Sequence, residues 1–358
     1  MTEFRAITRS PAHEQDAVVD FLSQPAGYGT TGEVERIDTH CSIIFLVGDR
    51  AFKLKRAIRY ASLDYTTRAL RQAACEAELA LNRRTAPELY LGTRCITREP
   101  DGSLAFDGNG AALDHVVVMR RFAQSELLDH MAEAGRLTPS LMRAVGEAVA
   151  RLHLGAERTP QHGGSEAIRR VIADNDRELA KVAAELDGAA VGELGNLARA
   201  MADELAPLLD SRRLEGKVRR CHGDLRLANI CLYAGRPTLF DCIEFSDDIG
   251  CIDVLYDFAF LLMDLHLHDL PDLANAVLGA YLERMPETDG LQALPLFLSL
   301  RATTRSYALA GKATRQADPR QAARLLKFAH RHVESAIAYL KRESSADVLD
   351  RKFWFASD

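Results

Sequence analysis

The chain has 358 residues, of which 47% are apolar and 27% charged, a composition typical of a globular protein long enough for two lobes. Its formal net charge of −6 argues against wholesale binding to nucleic acid or to an anionic membrane. Lysine is scarce, with eight residues in the chain, so a lysine inside a predicted strand is more informative than usual.

The first 122 residues are rich in strand-like patterns. A short helix is predicted at residues 11–24 and a longer one at 67–84. The predicted strands lie at 34–37, 42–47, 51–55, 89–96, 104–106 and 115–119. Residues 1–122 are therefore predicted to form an N-terminal lobe, a mostly antiparallel sheet with one main helix.

Helical periodicity dominates after Phe122. The predicted helices lie at 139–154, 165–186, 194–213, 251–268, 271–285, 291–313 and 318–343. One hairpin interrupts them, with strands at 230–233 and 238–245. Residues 123–358 are therefore predicted to form a larger, mainly helical lobe, and the fold class is α+β and bilobal.

The cysteines and the apolar stretches indicate a cytoplasmic protein without a membrane span. Seven cysteines are present, the number is odd and no C-x-x-C occurs, so neither a disulfide framework nor a zinc knuckle is expected. The N-terminus has no apolar signal segment. The longest apolar stretch, 251–267, contains three aspartates and is predicted to be a buried helix.

An ordered set of polar residues carries the predicted chemistry. His222-Gly-Asp224 is followed by Asn229 five residues after the aspartate, and by Asp241 twelve residues later. Phosphoryl transfer needs a carboxylate beside the attacking hydroxyl and oxygen ligands for Mg²⁺ ions that bridge the phosphates. Each residue alone is more typical of a turn or a helix cap. The ordered set, with a loop and a returning hairpin, predicts a phosphotransferase site.

This set resembles a known family. H-G-D-x-x-x-x-N followed by D-x-x-E is similar to the aminoglycoside phosphotransferase and choline kinase branch of small-molecule kinases, whereas protein kinases read H-R-D and D-F-G. More narrowly, the chain resembles bacterial aminoglycoside phosphotransferase family enzymes of unassigned substrate. The resemblance rests on residues 52–56, 78–87, 221–225, 240–245 and 251–259. It implies a protein kinase-like fold with a nucleotide-binding N-terminal lobe. Some members continue into a P-loop kinase domain, which we expect to be absent because no G-x-x-x-x-G-K-[ST] occurs.

The resemblance also implies a role for each residue of the motif. Asp224 is expected to be the catalytic base, and Asn229 and Asp241 the Mg²⁺ ligands. His222 is expected to pack beneath the loop and fix its backbone, and Asp257 to brace the loop from the following helix. Two further acids follow the motif. Glu244 is either an acid behind the metal site or the partner of an arginine, and Asp253 is expected to begin a helix.

The strand at 51–55 offers the cation that a kinase-like cleft needs over the nucleotide phosphates. Lys53 and Lys55 point to one face of that strand, together with Ala51. An Ala two residues before a Lys matches the V-A-I-K pattern, so Lys53 is preferred and Lys55 remains the second candidate. The alternative is that both are solvated edge residues. Glu78 or, less well, Glu76 is expected to orient the lysine.

The remaining nucleotide contacts are less defined by the sequence. The backbone near Met119 is expected to read the base of ATP, or of GTP. No G-x-G-x-x-G loop occurs, and the corresponding turn offers Thr39 and Ser42 for the phosphates, unless it is an ordinary hairpin turn.

The sequence therefore predicts an ATP- or GTP- and Mg²⁺-dependent kinase that phosphorylates a hydroxyl of a small molecule. A nucleotide-binding pseudokinase with a regulatory role and an atypical protein kinase are the alternatives. The acceptor stays open. Acidic residues at 247, 248, 264 and 269 suit a cation, whereas Arg301 and Arg305, one helical turn apart, suit an anion. No oligomeric state is predicted.

Overall fold

The protein is described by a computed structural model covering residues 12–60, 62–287 and 289–341. The chain divides into two compact units. One runs to Glu126 and also includes Thr238–Ser246, and the other comprises Leu127–Pro237 and continues from Asp247. The segment Thr238–Ser246 thus belongs with the sheet-containing unit, although it follows residue 122 in the sequence. Within the described ranges, no helix has both the length and the apolar character needed to cross a membrane.

The first unit is built on an antiparallel sheet. Its elements in chain order are α1 (Ala12–Leu22), β1 (Val34–Asp38), β2 (Ser42–Val47), β3 (Arg50–Lys55), β4 (Arg59–Tyr60), β5 (Leu63–Asp64), α2 (Arg68–Asn82), β6 (Tyr90–Arg98), β7 (Leu104–Phe106) and β8 (Ala111–Arg120). Six of the strands form one sheet in the order β1-β2-β3-β8-β6-β7, and β4 pairs with β5. The predicted antiparallel sheet with one main helix is confirmed.

Alternation along β3 separates the two faces of this sheet. Phe52 and Leu54 join a core with residues of α1 such as Leu22. Lys53 and Lys55 point to the opposite face, where both contact α2. The helix α2 begins at the Thr67 cap, whose hydroxyl accepts from the Leu70 N–H. The sheet therefore presents two ammonium groups to one helix.

From Leu127 onward the structure is mainly helical. The elements are α3 (Leu128–Glu133), α4 (Pro139–Gly155), α5 (Gly164–Ala180), α6 (Gly188–Glu204), α7 (Ala206–Leu214), β9 (Val218–Arg220), β10 (Ile230–Tyr233), β11 (Arg236–Leu239), α8 (Asp247–Gly250), β12 (Cys251–Asp253), α9 (Val254–Leu267), α10 (Pro271–Arg284), α11 (Leu294–Ala313) and α12 (Pro319–Lys341). The helix α11 packs against α9 and α12. A Cβ at Gly146 of α4 would lie 2.3 Å from the Val277 carbonyl oxygen, so this glycine permits the close packing of α4 on α10.

The predicted hairpin is present, but its second strand is shorter than predicted. β10 pairs with β11, which ends at Leu239. The prediction of a strand to residue 245 is wrong, because Asp241 has a left-handed backbone φ of 63° that a strand cannot adopt.

Three predicted helices also have different limits. The helix predicted at 194–213 is two helices, α6 and α7, and Pro207 lies in the first turn of the second. α5 ends at Ala180, and α9 begins only at Val254 because the preceding three residues pair with β9. Asp253 begins α9 as predicted, since its carboxylate caps the Leu255 N–H. Residues 11, 342 and 343 of the predicted helices lie outside the described ranges.

Candidate active site

Lys53 lies between two carboxylates. Its Nζ is 2.8 Å from Glu78 Oε1 on α2 and 2.6 Å from Asp241 Oδ1. The Lys53 side chain is 12% exposed and that of Asp241 is 43% exposed. β3 and α2 thus hold an ammonium group whose outer partner, Asp241, remains accessible to solvent.

Lys55 lies deeper on the same face. Its Nζ is 2.6 Å from Glu78 Oε2 and forms a second ion pair with Glu244. The Tyr65 hydroxyl also donates to Glu244. Lys55 is 1% exposed, so the alternative of solvated edge lysines is wrong. Lys53, Lys55, Glu78, Asp241 and Glu244 are called the two-lysine cluster below.

Charge pairing outweighs burial at Glu78, Lys53 and Lys55 of the two-lysine cluster. Burial alone raises the pKa of Glu78, but Lys53 and Lys55 lower it to about 2. Burial lowers the pKa of Lys53, but Asp241 and Glu78 raise it well above its usual value. By formal charge, two ammonium groups face three carboxylates in this cluster. One negative charge is in excess, and Asp241 is the carboxylate exposed to solvent.

Three neighbouring side chains hold the backbone around Asp241. Its N–H donates to the Tyr90 hydroxyl at 3.2 Å, and the Cys242 N–H donates to Asn82 Oδ1 at 2.9 Å. The Thr85 hydroxyl donates to the Leu239 carbonyl at 2.7 Å. These contacts maintain the left-handed conformation of Asp241, which is uncommon outside glycine and more frequent for Asp and Asn than for other residues.

A second group of predicted residues lies in the helical unit, on the loop between β9 and β10. Asn229 Nδ2 donates to Asp224 Oδ2 and to the Asp224 carbonyl, both at 2.8 Å. Arg226 binds the same carboxylate with two nitrogens, Nε at 2.8 Å and Nη2 at 3.1 Å. Burial raises the pKa of Asp224, but Arg226, His222 and Arg305 hold it well below its usual range. Asp224 is therefore ionised at neutral pH.

Asp257 supports this loop from α9. Its Oδ2 accepts from the His222 N–H at 3.0 Å, and its Oδ1 accepts from the Gly223 N–H at 2.8 Å. The Nε2 of His153 on α4 lies 3.1 Å from the same Oδ2. Gly223 has a φ of 87°, a conformation that favours glycine. The loop backbone is thus fixed by a fully buried carboxylate.

We expect Asp257→Asn to destabilise the protein by about 1–3 kcal/mol, because an amide offers one acceptor where two backbone N–H groups need two. Urea denaturation measures this loss. Asp272→Asn, at an exposed position of α10, is the matched control and should cost about 1 kcal/mol or less. Equal stability of Asp257→Asn and the wild type would contradict the supporting role.

Acid should weaken the same support. Burial raises the pKa of Asp257, but His153 and His222 lower it to about 2. A carboxyl group whose pKa is lower in the folded than in the unfolded protein stabilises the fold fully at pH values above its unfolded pKa, which is about 3.9. This contribution is therefore lost as the pH falls from about 4 towards 2.

The other predicted residues occupy defined positions. Glu76 is exposed and accepts from Gln72, whereas Glu78 is buried against both lysines. Glu244 pairs with a lysine and a tyrosine, so the alternative that it pairs with an arginine is wrong. Met119 lies on β8, opposite Ala51 of β3.

The turn between β1 and β2 is closed by its own side chains. The Ser42 N–H donates to Thr39 Oγ1, and the Thr39 hydroxyl donates to the Ser42 carbonyl. His222 is buried, and its Nδ1 lies 3.4 Å from the Asp224 N–H.

Several residues of these clusters are not predicted from the sequence. Arg226 lies two residues after Asp224. A basic residue inside the predicted loop was the sequence feature that could have indicated a partner for this carboxylate. Asn82 and Tyr90, which hold the Asp241 segment, carry no comparable signal. Neither does His153, which is an isolated histidine in a predicted helix.

Comparison with known families and structures places this geometry in context. Residues 50–294 match the model described as the phosphotransferase enzyme family. The uncharacterized protein Rv2004c of Mycobacterium tuberculosis (strain ATCC 25618 / H37Rv) is 32% identical over 276 residues, which are 75% of this chain and 53% of that protein. An uncharacterized protein of Mycobacterium bovis, Mb2027c, matches to the same extent. The chain thus spans about half the length of the curated relatives it matches.

Solved structures show the fold. A choline kinase from Cryptosporidium parvum Iowa II superposes with a TM-score of 0.56 at 12% identity, covering 96% of this chain and 99% of the kinase. A thermostable mutant of aminoglycoside phosphotransferase APH(4)-Ia gives a TM-score of 0.53 at 14% identity, covering 91% and 99%. The predicted kinase-like α+β fold is confirmed.

Proposed function

Because the chain belongs to the phosphotransferase enzyme family, we propose that it transfers the γ-phosphate of ATP or GTP to a hydroxyl group of a small molecule. The observation that carries the proposal is the Lys53 ammonium held between Glu78 and Asp241. A lysine on the third strand paired with a helix glutamate is the arrangement that kinases use to position nucleotide phosphates. Lys53 is thus the proposed phosphate ligand, and Lys55 the buried counter-ion that fixes Glu78.

Asn229 and Asp241 are the proposed Mg²⁺ ligands, and their chemistry fits that ion. Asn229 commits its Nδ2 to Asp224, so its Oδ1 is the atom left to bind a cation. Asp241 carries the accessible carboxylate of a cluster with one excess negative charge. Mg²⁺ prefers such oxygen ligands, and when bound it would neutralise charge on the phosphates.

Asp224 is the proposed catalytic base. Its depressed pKa keeps it ionised, which suits a group that orients the acceptor hydroxyl and takes its proton as the new bond to phosphorus forms. His222 and Asp257 hold the loop that presents it. Backbone groups near Met119 are proposed to contact the base, and those of Ser42 the phosphates. The proposed location is the cytoplasm, where nucleoside triphosphates are available.

The alternatives have less support. A pseudokinase usually lacks one of the residues corresponding to Asp224, Asn229 and Asp241, and all three are present. A protein kinase needs an activation segment after its metal-binding aspartate, whereas α8 begins at Asp247, six residues after Asp241. A small-molecule acceptor is therefore preferred.

The test is transfer of labelled γ-phosphate from ATP or GTP, with Mg²⁺, into components of a metabolite extract. We expect a labelled small molecule to form with wild-type protein and not with Asp224→Asn. Nucleotide binding without transfer to any component, at equal levels in both proteins, would favour the pseudokinase.

We expect Asp241→Asn to raise the Mg²⁺ concentration needed for nucleotide binding more than Asn229→Ala does. Asp241 supplies charge as well as an oxygen. Its replacement should therefore raise the required Mg²⁺ concentration at least roughly 10-fold, the loss of metal affinity typical when a group behind a metal ligand is replaced. Asparagine tolerates a left-handed backbone, so strain does not confuse the comparison. Titration of Mg²⁺ at a fixed concentration of AMP-PNP measures both, and equal shifts would argue against unequal roles.

A further inference from the structure

Arg305 on α11 is a half-buried cation with an enclosed Nε. This Nε has no hydrogen-bond acceptor among the residues that the structure describes. Burial and the nearby Arg226 lower its pKa to about 10, so it remains charged at neutral pH. Enclosing part of an unpaired charge lowers the stability of the folded protein, so it is not explained by folding. The position of this guanidinium therefore calls for another explanation.

Arg301, one turn earlier on α11, shows what a structural arginine looks like in the same helix. Its guanidinium carbon lies 3.8 Å from the centre of the Tyr256 ring and 4.8 Å from that of Phe260. Its Nε donates to the Tyr256 carbonyl, although its Nη2 finds no acceptor within the described part of the chain. Arg301 is thus held by aromatic rings and a backbone oxygen, which leaves Arg305 as the candidate for ligand binding.

The carboxylates that act on Arg305 are already engaged. Asp264 and Asp224 raise its pKa electrostatically but form no hydrogen bond with it. Asp264 accepts from the Leu227 N–H at 3.0 Å, and Asp224 is bound by two of the three guanidinium nitrogens of Arg226. Burial and, to a smaller extent, the charge of Arg305 lower the pKa of His332 on α12 to about 4, so this histidine is neutral. A guanidinium whose Nε has no acceptor among the described residues is therefore fixed close to Asp224.

We propose that Arg305, together with Arg226, binds an anionic group of the acceptor, so that the acceptor is a hydroxylated small molecule carrying a phosphate or a carboxylate. This inference rests on the proposed kinase function, because it places the anion near Asp224, the proposed base that takes the proton of the acceptor hydroxyl. A planar guanidinium group can donate two parallel N–H bonds to a phosphate or a carboxylate, and it carries the opposite charge. The same two cations would repel a polycationic acceptor such as an aminoglycoside.

Binding of inorganic phosphate to the nucleotide-saturated protein tests the proposal. Wild type, Arg305→Gln, Arg305→Lys and Arg315→Gln are saturated with Mg²⁺ and AMP-PNP and titrated with phosphate by calorimetry. Arg315 is exposed beyond the end of α11, so Arg315→Gln loses the same charge at a position outside the proposed site. We expect Arg305→Gln to weaken phosphate binding by about 10- to 100-fold, Arg305→Lys by less, and Arg315→Gln not at all.

The outcomes separate the two proposals. If AMP-PNP itself does not bind, the proposed function fails and this inference fails with it. If AMP-PNP binds but phosphate does not, or if Arg305→Gln binds phosphate as the wild type does, only the acceptor assignment is overturned. If phosphate competes with AMP-PNP but not with ADP, the arginines bind the transferring phosphate of the nucleotide, which also overturns it.

Thermal stability provides an independent readout. A half-buried arginine kept for ligand binding destabilises the free protein, so Arg305→Met should melt at or above the wild-type temperature. Phosphate should raise the melting temperature of the wild type and not that of Arg305→Met. A clear loss of stability in Arg305→Met would show that Arg305 serves the fold and would overturn the proposal.

Discussion

We expect Asp224→Asn to lower kcat by about 10²- to 10⁴-fold, the range usual for loss of a general base, while Mg²⁺–nucleotide binding stays close to wild type. Asparagine matches the shape of the carboxylate and can still accept from Asn229, but it can no longer take a proton or pair with Arg226 as an anion. The substitution therefore removes the charge and leaves the loop in place.

Steady-state kinetics and AMP-PNP titration of the same variant check this expectation. The depressed pKa of Asp224 adds a further requirement, since the carboxylate stays ionised well below neutral pH. Protonation of Asp224 should therefore cause no fall in kcat/KM between about pH 7 and pH 5. A variant with near-wild-type kcat would remove Asp224 from the mechanism.

Exchange of the two lysines for alanine should give opposite phenotypes. Lys55→Ala leaves Glu78 and Glu244 as buried carboxylates with fewer counter-ions and should destabilise the protein by about 3–5 kcal/mol. Lys53→Ala leaves Glu78 paired with Lys55 and Asp241 accessible to water, so the fold should suffer less. Its loss should instead lower activity by about 10²- to 10³-fold, the range typical of one charge-stabilising contact in an active site.

Urea denaturation and ATP kinetics of both variants separate these effects. In the double-mutant cycle of Lys53 and Glu78, coupling in kcat/KM should be roughly 0.5–3 kcal/mol. If Lys53→Ala unfolds the protein while Lys55→Ala folds and loses activity, the two roles are reversed. If neither variant loses activity, the first unit does not bind nucleotide through this cluster.

The sequence predicted the features that depend on short-range spacing. Strand alternation placed Lys53 and Lys55 on one face, and the family resemblance favoured Glu78 over Glu76. The break between α6 and α7 could also have been predicted, because Pro207 has no backbone N–H to donate inside a continuous helix.

The features that escaped prediction depend on residues far apart in the chain. Lys55 resembles a partly solvated lysine until Glu78 and Glu244 are both placed against it, and these lie 23 and 189 residues away. The end of β11 depends on Tyr90 and Asn82, which hold a left-handed Asp241. That Arg305 Nε has no acceptor among the described residues could be predicted only by knowing which groups each neighbouring carboxylate binds.

The helix α2 performs two tasks with side chains one turn apart. Glu78 holds the ammonium of Lys53, and Asn82 holds the backbone next to Asp241. A displacement or rotation of this helix would therefore withdraw the proposed phosphate ligand and the proposed metal ligand at the same time. A molecule or protein that shifts α2 by a fraction of a turn would therefore switch the proposed reaction on or off. A mutation that loosens the packing of α2 should lower the affinities for nucleotide and for metal together.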